Sequence, residues 1–568
     1  MALQREQLHF LLTPLMSQSH IIPLTDFAKS LAKHGPWISI VMTPLNAIRY
    51  KAVIDHAKAQ RLKIQLIPIK FPCQEAGLPD GCENLDTLNS LELSGKFLRA
   101  CELLQGPLET IIQELEPKPN CIISTSAISW AQKVAQKFKI PRYLFETISC
   151  FTALCSNLLS QINVQENVEP ILVPKIPHKI EFTKAQLPEF KDSYVLKRIM
   201  DQMKQARDSA KGTLVNSFEE LESWCVEEWR KERGNVWCIG PVFLCNKEPL
   251  CGRGNKASID EHYCQTRLNS KKPKSVIYAC FETGLGLERS NFPFIWIIKK
   301  REDYSDEVEK WLVEEGLEER ARGRGLIIRE WAPQVLILAH PSIGEFLTHC
   351  GWNSTLEGIY AGVPMITWPM FSEQFYNEKF IVNVLGIGAR VGVKSFMNYE
   401  KNEDLVKWDK VKNAIEKVTD ESEEGIKIRE RAQEIAEMAR NSVEKGGLSY
   451  LNKSLFTFTI FRNVSWLYLF IFFSKKKKEF CISPRLGKEK EIGMGKRKRG
   501  GHGASAKQAG ALIPLYRSIG HTDTREKTVR KRPSSSPSVQ ILMSPDLIQQ
   551  LLPNEFNSSK GFEGMSIT

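Results

Sequence analysis

The chain has 568 residues, of which 42% are hydrophobic, so it exceeds one ordinary core and points to two core-forming domains with an addition. Its formal charge of +12 sits in one place: residues 455–568 hold 20 Lys and Arg against 8 Asp and Glu, which leaves 58 of each sign in residues 1–454 and excludes a nucleic-acid function read from the charge of the globular part. The 14 cysteines form no CxxC and no Cys/His cluster with zinc spacing, which fits reduced, buried thiols in a cytoplasmic protein and no metal site.

In chain order, short apolar runs alternate with helical patterns. The N-terminal run "LHFLLTPLM" is broken by Pro14 and lacks a small-residue cleavage site, so it reads as a first strand rather than a signal peptide. Strands are expected at 8–13, 37–43, 63–69, 121–125 and 142–147, with helices such as "IPLTDFAKSLAKHG" and "ISWAQKVAQKFK" between them. The pattern of β-branched runs and amphipathic helices predicts βαβ units and a parallel sheet. Residues 1–245 form the first domain, and "NKEPLCGRGNKAS" (246–258) reads as a linker. Alternation restarts with strands at 275–281, 294–299, 325–331, 344–350 and 364–369, followed by helices around 406–420 and 422–444. A second α/β domain is thus expected over 259–454, with the ligand cleft at the carboxyl ends of the strands.

The stretch "HCGWNSTLEG" (349–358) follows a buried strand and opens a helix, with Asn353 or Ser354 as its N-cap. A helix start offers free N–H groups and the positive end of the dipole, which suits a diphosphate. His349, Asn353 and Ser354 add donors there, and Gly351 lets the backbone come close. Glu357, one turn on, is placed to accept from the two hydroxyls of a ribose. Trp331 and Gln334 are placed to stack and hydrogen-bond a flat base. These residues by themselves suggest a nucleotide diphosphate site.

The full run from Trp331 to Gln374, "WAPQVLILAHPSIGEFLTHCGWNSTLEGIYAGVPMITWPMFSEQ", closely resembles the donor signature of plant family-one UDP-glycosyltransferases. "FLLTPLMSQSHIIPL", "IEFTKAQLP" (180–188) and "FYNEKF" (375–380) resemble the same family. The resemblance implies a GT-B fold, two Rossmann-like domains facing a cleft: an acceptor domain (1–245) and a UDP-sugar domain (259–454). It implies that Trp331 stacks on uracil, that Ala332 and Gln334 bind the base and ribose side, and that Glu357 takes the ribose hydroxyls. His349, Asn353 and Ser354 would hold the diphosphate, and Trp352, Glu373 and Gln374 would contact the sugar. Gln374, in place of a histidine, leans the donor toward UDP-glucose. UDP-glucose is then a co-substrate, a small hydroxyl compound of plant metabolism (a flavonoid, another phenolic, a terpenoid or a hormone) is the acceptor, and no cofactor or metal is required.

Two departures from the family pattern stand out. "MSQSH" places the catalytic base at His20, a neutral imidazole suited to proton abstraction near neutrality. Its expected aspartate partner falls at Thr125, which carries no charge, so a slow enzyme or one restricted to acidic hydroxyls is expected. The crossover after the strand at 275–281 is also cut short, to residues 282–293, near the minimum for a βαβ unit, which predicts a poorly covered sheet face. "GLGLER" there mimics half of a dinucleotide fingerprint, but the third glycine is missing.

Residues 455–568 read as an appended basic tail of low order, carrying "GKRKRGGHG" and "RKRPSSSPS". Read-through sequence is the expected origin of this tail, and a gene-structure fault that of the shortened crossover. The apolar run 455–473 beside four lysines is just long enough to span a bilayer, but Arg462 and Asn463 fall near its centre, where the Arg alone costs about 2.5–3.5 kcal/mol. Two alternatives therefore stand beside the transferase: an inactive nucleotide-sugar-binding relic, and a membrane- or nucleic-acid-associated protein whose membrane contact runs through 455–478.

Overall fold

The structure is a computed structural model that describes residues 8–461, apart from 89, 163–167, 188–193, 246–252, 256, 281–283, 299–304 and 397–405. Most of the expected linker and all of 462–568, with both basic motifs, lie outside the described residues.

The strands fall where the apolar runs are. β1 (His9–Thr13), β2 (Trp37–Met42), β3 (Ile64–Pro68), β4 (Cys121–Thr125) and β5 (Arg142–Glu146) come first. A two-stranded antiparallel hairpin follows, β6 (Ile171–Leu172) and β7 (Glu181–Phe182), and then β8 (Thr213–Val215) and β9 (Val236–Cys238). β1–β5, β8 and β9 form one parallel sheet in the order β3-β2-β1-β4-β5-β8-β9. The second sheet contains β10 (Val276–Ala279), β11 (Phe294–Ile298), β12 (Gly325–Arg329), β13 (Ile343–Thr348), β14 (Met365–Thr367) and β15 (Gly388–Arg390), in the order β12-β11-β10-β13-β14-β15. Every pairing within both sheets is parallel, and strand order reverses beside β1 and β10, which opens a crevice at each carboxyl edge. Strands such as "HFLLT" and "IGEFLT" are buried on both faces because helices cover both sides.

The sheet face beside the short crossover is covered, contrary to expectation. Residues Gly284–Arg289 still form a helix, with Leu287 fully buried. Ser305–Glu314 and Trp408–Thr419 close over the rest, so Ile277, Ala279 and Trp296 are buried together. Glu288 pairs with Arg320 and Arg289 stacks on Trp408 at 4.3 Å, which pins the short helix to its neighbours. The half-fingerprint "GLGLER" is that helix.

The boundary drawn at residue 455 falls inside a packed helix. This helix spans 448–461, and Phe456 and Ile460 are buried in the core of the first sheet. The Phe456 ring meets Phe10, Tyr143 and Trp237 at 6.1, 5.1 and 5.5 Å. Ser449 Oγ donates to the Gly240 carbonyl at 2.6 Å and Asn452 Nδ2 to the Cys238 carbonyl at 3.0 Å. The apolar character read as membrane-like at its start thus serves a core. Among the described residues no helix is long and apolar enough to cross a membrane. A chain ended after residue 454 should be less stable than one ended after 461 by about 3–5 kcal/mol, the usual cost of losing one large core aromatic. Urea melts of the two truncations check this.

Candidate functional site

His20 lies in the first turn of the helix Gln18–Ala32, just past β1. That helix start is capped from a distance: Asp86 accepts from the Gln18 N–H at 2.5 Å and from Ser17 Oγ at 2.9 Å. A carboxylate at a helix N-terminus satisfies free donors and the dipole together. The loop before it is held by Thr125, whose Oγ1 accepts from the Leu15 N–H at 2.9 Å. Thr125 is fully buried at the end of β4, where the sequence put it, but its hydroxyl holds this loop. The side chain that meets His20 is Thr147, with Oγ1 3.4 Å from Nδ1. Sequence reading missed Thr147; it follows β5, and nothing in "FETISC" marks it. Desolvation pushes the His20 pKa down to about 4, so the imidazole is neutral across physiological pH.

The helix Trp352–Ala361 begins at the carboxyl end of β13. Its N-cap is Gly351, not Asn353 or Ser354, because Cys350 turns the chain at φ +65° and helical geometry starts one residue later. A Cβ on Gly351 would lie 2.5 Å from His349 Nε2, so the glycine makes room for the histidine ring at the helix mouth. Asn353 and Ser354 fall in the first turn. Asn353 Nδ2 donates to the Ser19 carbonyl at 2.9 Å, next to His20, and its Oδ1 accepts from Asn216 at 3.4 Å. Expected diphosphate and catalytic residues therefore meet across one cleft.

Trp352 points elsewhere. Its indole is 2% exposed and donates to the Asn216 carbonyl at 2.8 Å, so only its backbone N–H, at a helix start, remains to face a sugar. Trp331 follows β12 through Glu330, which has φ +79°, and packs against the core of the first sheet. Its carbonyl accepts from the Ser258 N–H at 2.9 Å. Ala332 is buried beside it.

Gln334 is an organiser. Its Nε2 donates to Glu357 at 2.7 Å and to Ser354 Oγ at 3.1 Å. Its Oε1 accepts from Cys280 Sγ at 3.0 Å and from Tyr278 at 3.4 Å. Glu357 is buried, and its other oxygen accepts from Arg253 at 2.5 Å. Glu373 precedes the helix Gln374–Lys379 at its N-cap position, and its side chain accepts from Ser372 Oγ at 2.6 Å. Gln374 Oε1 accepts from the Met370 and Phe371 N–H groups at 2.8 and 3.1 Å, which fixes the loop and leaves the amide NH2 for a ligand. Among the described residues no group of three or more His, Cys, Asp or Glu side chains is arranged to hold a metal. Arg253 and Asn216 were not anticipated, since their roles depend on pairing across more than a hundred residues.

A family profile described as "UDP-glucoronosyl and UDP-glucosyl transferase" matches residues 311–424. UDP-glycosyltransferase 73C6 of Arabidopsis thaliana is 44% identical over 471 residues, covering 78% of this chain and 94% of that protein. UDP-glycosyltransferase 73E1 of Stevia rebaudiana is 45% identical over 474 residues, covering 79% and 95%. Among solved structures, UGT73P12 of Glycyrrhiza uralensis, complexed with glycyrrhetinic acid 3-O-monoglucuronide, is 30% identical with a TM-score of 0.75, covering 84% of this chain and 99% of that one. UGT71G1 of Medicago truncatula, complexed with UDP-glucose, shares the fold at 23% identity and a TM-score of 0.64, covering 81% and 100%.

Proposed function

The chain belongs to the plant family-one UDP-glycosyltransferases, with their GT-B fold and their UDP-sugar co-substrate, and we propose that it is an inverting glucosyltransferase acting on a hydroxyl of a small plant metabolite. The observation that carries this reading is the hydrogen bond from Asn353 to Ser19, which joins the start of the donor helix to the loop of the base. In this reading residues 1–245, with the returning helix 448–461 packed on them, bind the acceptor and residues 259–447 bind the donor. Trp331 and Ala332 take the uracil, and Glu357, braced by Gln334, takes the ribose hydroxyls. The helix start with His349, Asn353 and Ser354 takes the diphosphate, and Glu373, Gln374 and the Trp352 N–H take the sugar. His20 removes the acceptor proton, the acceptor oxygen attacks the anomeric carbon, and the bond from that carbon to the diphosphate oxygen breaks on the opposite face. The leaving diphosphate is stabilised by the helix start. We place the protein in the cytoplasm.

Thr125 supplies no negative charge to the imidazolium formed in this step, so the best acceptors are acidic phenols, which need little help losing a proton. The same feature favours the relic as the second reading. The deciding experiment combines calorimetry with UDP and an assay of UDP-glucose, and separately UDP-galactose, against phenolic acceptors of graded acidity. Micromolar UDP binding, about −8 kcal/mol, with a β-glucoside product is expected. UDP binding with no product for any acceptor would leave the relic.

His20→Ala should lower turnover about 10²–10⁴-fold without changing UDP affinity. Because the folded His20 pKa lies near 4, kcat/KM should stay flat from neutral pH down to about 5 and fall only as the ring takes its proton near 4. An acid limb centred at the ordinary histidine value would contradict this environment for the ring.

A further inference from the structure

Arg253 lies in the segment between the two sheets, and its guanidinium reaches both sides of the cleft. Nε donates to Asp26, on the helix that carries His20, at 2.7 Å, and Nη1 donates to Glu357 at 2.5 Å. The three side chains are 15%, 8% and 5% exposed. The Phe243 ring backs the guanidinium at 5.4 Å. Burial pulls the Arg253 pKa down, but Asp26 and Glu357 outweigh it and hold the pKa above the ordinary value, so the charge is permanent. The next two residues continue the contact. Gly254 has φ +88° and sits so close to Trp331 that a Cβ would lie 2.4 Å from its Cζ2, and Asn255 Oδ1 accepts from Gln18 at 3.4 Å.

The consequence concerns Glu357. One of its oxygens is held by Arg253 and the other by Gln334 at 2.7 Å. A carboxylate gripped at both oxygens does not rotate, yet it keeps about two of its four acceptor sites. Two vicinal hydroxyls need two acceptors in a fixed relation. Without Arg253, the buried carboxylates of Asp26 and Glu357 would lose the positive charge that sits between them, beside a ligand that is itself an anion. Lysine is a point donor and cannot reproduce the forked grip.

We propose that Arg253 is a positioning residue for ribose recognition, a brace from the linker that fixes Glu357 so that it reads both hydroxyls of the donor nucleoside. This rests on the reading of Glu357 as the ribose acceptor, and the test separates the two. The affinities of the full chain for UDP and for 2′-deoxy-UDP are measured by calorimetry in the wild type, Glu357→Gln, Arg253→Gln and Arg253→Lys, with circular dichroism of each. The wild type should prefer UDP by about tenfold or more, the worth of a hydrogen bond to a charged group. Glu357→Gln should remove most of that preference. Arg253→Gln should weaken UDP far more than 2′-deoxy-UDP, bringing the two within about threefold, and Arg253→Lys should recover part of the difference. If the wild type shows no preference, the role given to Glu357 fails and the proposal falls with it. If the wild type and Glu357→Gln behave as expected but Arg253→Gln keeps the full preference or weakens both nucleotides equally, Arg253 only ties the halves together and the proposal alone is overturned. Tighter UDP binding in Arg253→Gln would also overturn it, since the linker would then be occluding the site. Should Arg253→Gln fail to fold, the same ratio in Arg253→Lys decides: an unchanged preference overturns the proposal.

Discussion

Replacing Thr125 with aspartate should raise kcat/KM toward a weakly acidic alcohol by about a hundredfold. It should also move the acid limb of the pH profile upward from about 4. Both effects have one cause. In the native chain desolvation alone acts on His20, and the group at Nδ1 is the neutral hydroxyl of Thr147 at 3.4 Å. A carboxylate at the end of β4 would favour the imidazolium, so the ring would become a stronger base and its proton would be lost at a higher pH. In serine proteases the neutral replacement of the aspartate that orients the catalytic histidine costs about 10⁴ in turnover, which bounds the possible gain. The substitution has its own cost, because Thr125 is fully buried and its hydroxyl holds the Leu15 N–H. Thr125→Asn has nearly the shape of aspartate without its charge and controls for that cost. Equal activity in Thr125→Asp, Thr125→Asn and the native chain, with an unmoved acid limb, would mean that position 125 does not reach His20.

The second large effect concerns stability. Glu345, on β13 one residue past Gly344, is 4% exposed, and its Oε2 has no hydrogen-bond partner among the described residues. Burial pushes its pKa from 4.5 up to about 8, and the positive charge of Arg429 only partly opposes this. The sign follows from proton counts. Below 4.5 the carboxyl is protonated both folded and unfolded. Between 4.5 and about 8 only the folded chain holds the proton, so stability is lost as pH rises, by about 1.4 kcal/mol per pH unit. Glu345→Gln keeps the volume and removes the titration. The variant should match the native chain near pH 4 and exceed it by about 3 kcal/mol at pH 7, with the difference levelling off above about 8. Urea melts of both proteins over that range test the point, and a difference that does not depend on pH would refute it.

The donor box was legible because its chemistry is local. A strand, a turn and a helix start within Trp331–Gln374 bring base, ribose and diphosphate groups together by backbone geometry alone. What was misread inside the box depended on details that composition does not carry. The left-handed turn at Cys350 moved the N-cap to Gly351, and the Asn216 carbonyl, just past β8, takes the Trp352 indole N–H. Thr147 and Arg253 were invisible for a different reason: each matters only through a partner brought near by the fold. The parallel strands expected from the apolar runs are all present, while β9 ("VWC") and β15 ("GAR"), three residues each, are too short to show a pattern. The end of the packed chain was placed too early because "LFTFTIF" was judged by hydrophobicity. Its spacing was the better guide, since Ser449, Lys453, Phe456 and Ile460 follow a helical stripe and all four are buried.

The helix over 448–461 gives the two halves a second covalent crossing. The chain leaves the first half through the segment after β9, builds the second, and returns to the first through Ser449, Asn452 and Phe456. A single cut by a site-specific protease engineered into 246–252 would therefore release no free half. The two fragments should stay together on a sizing column, as an open necklace whose clasp is still fastened, and only a further cut near 445 would let them part.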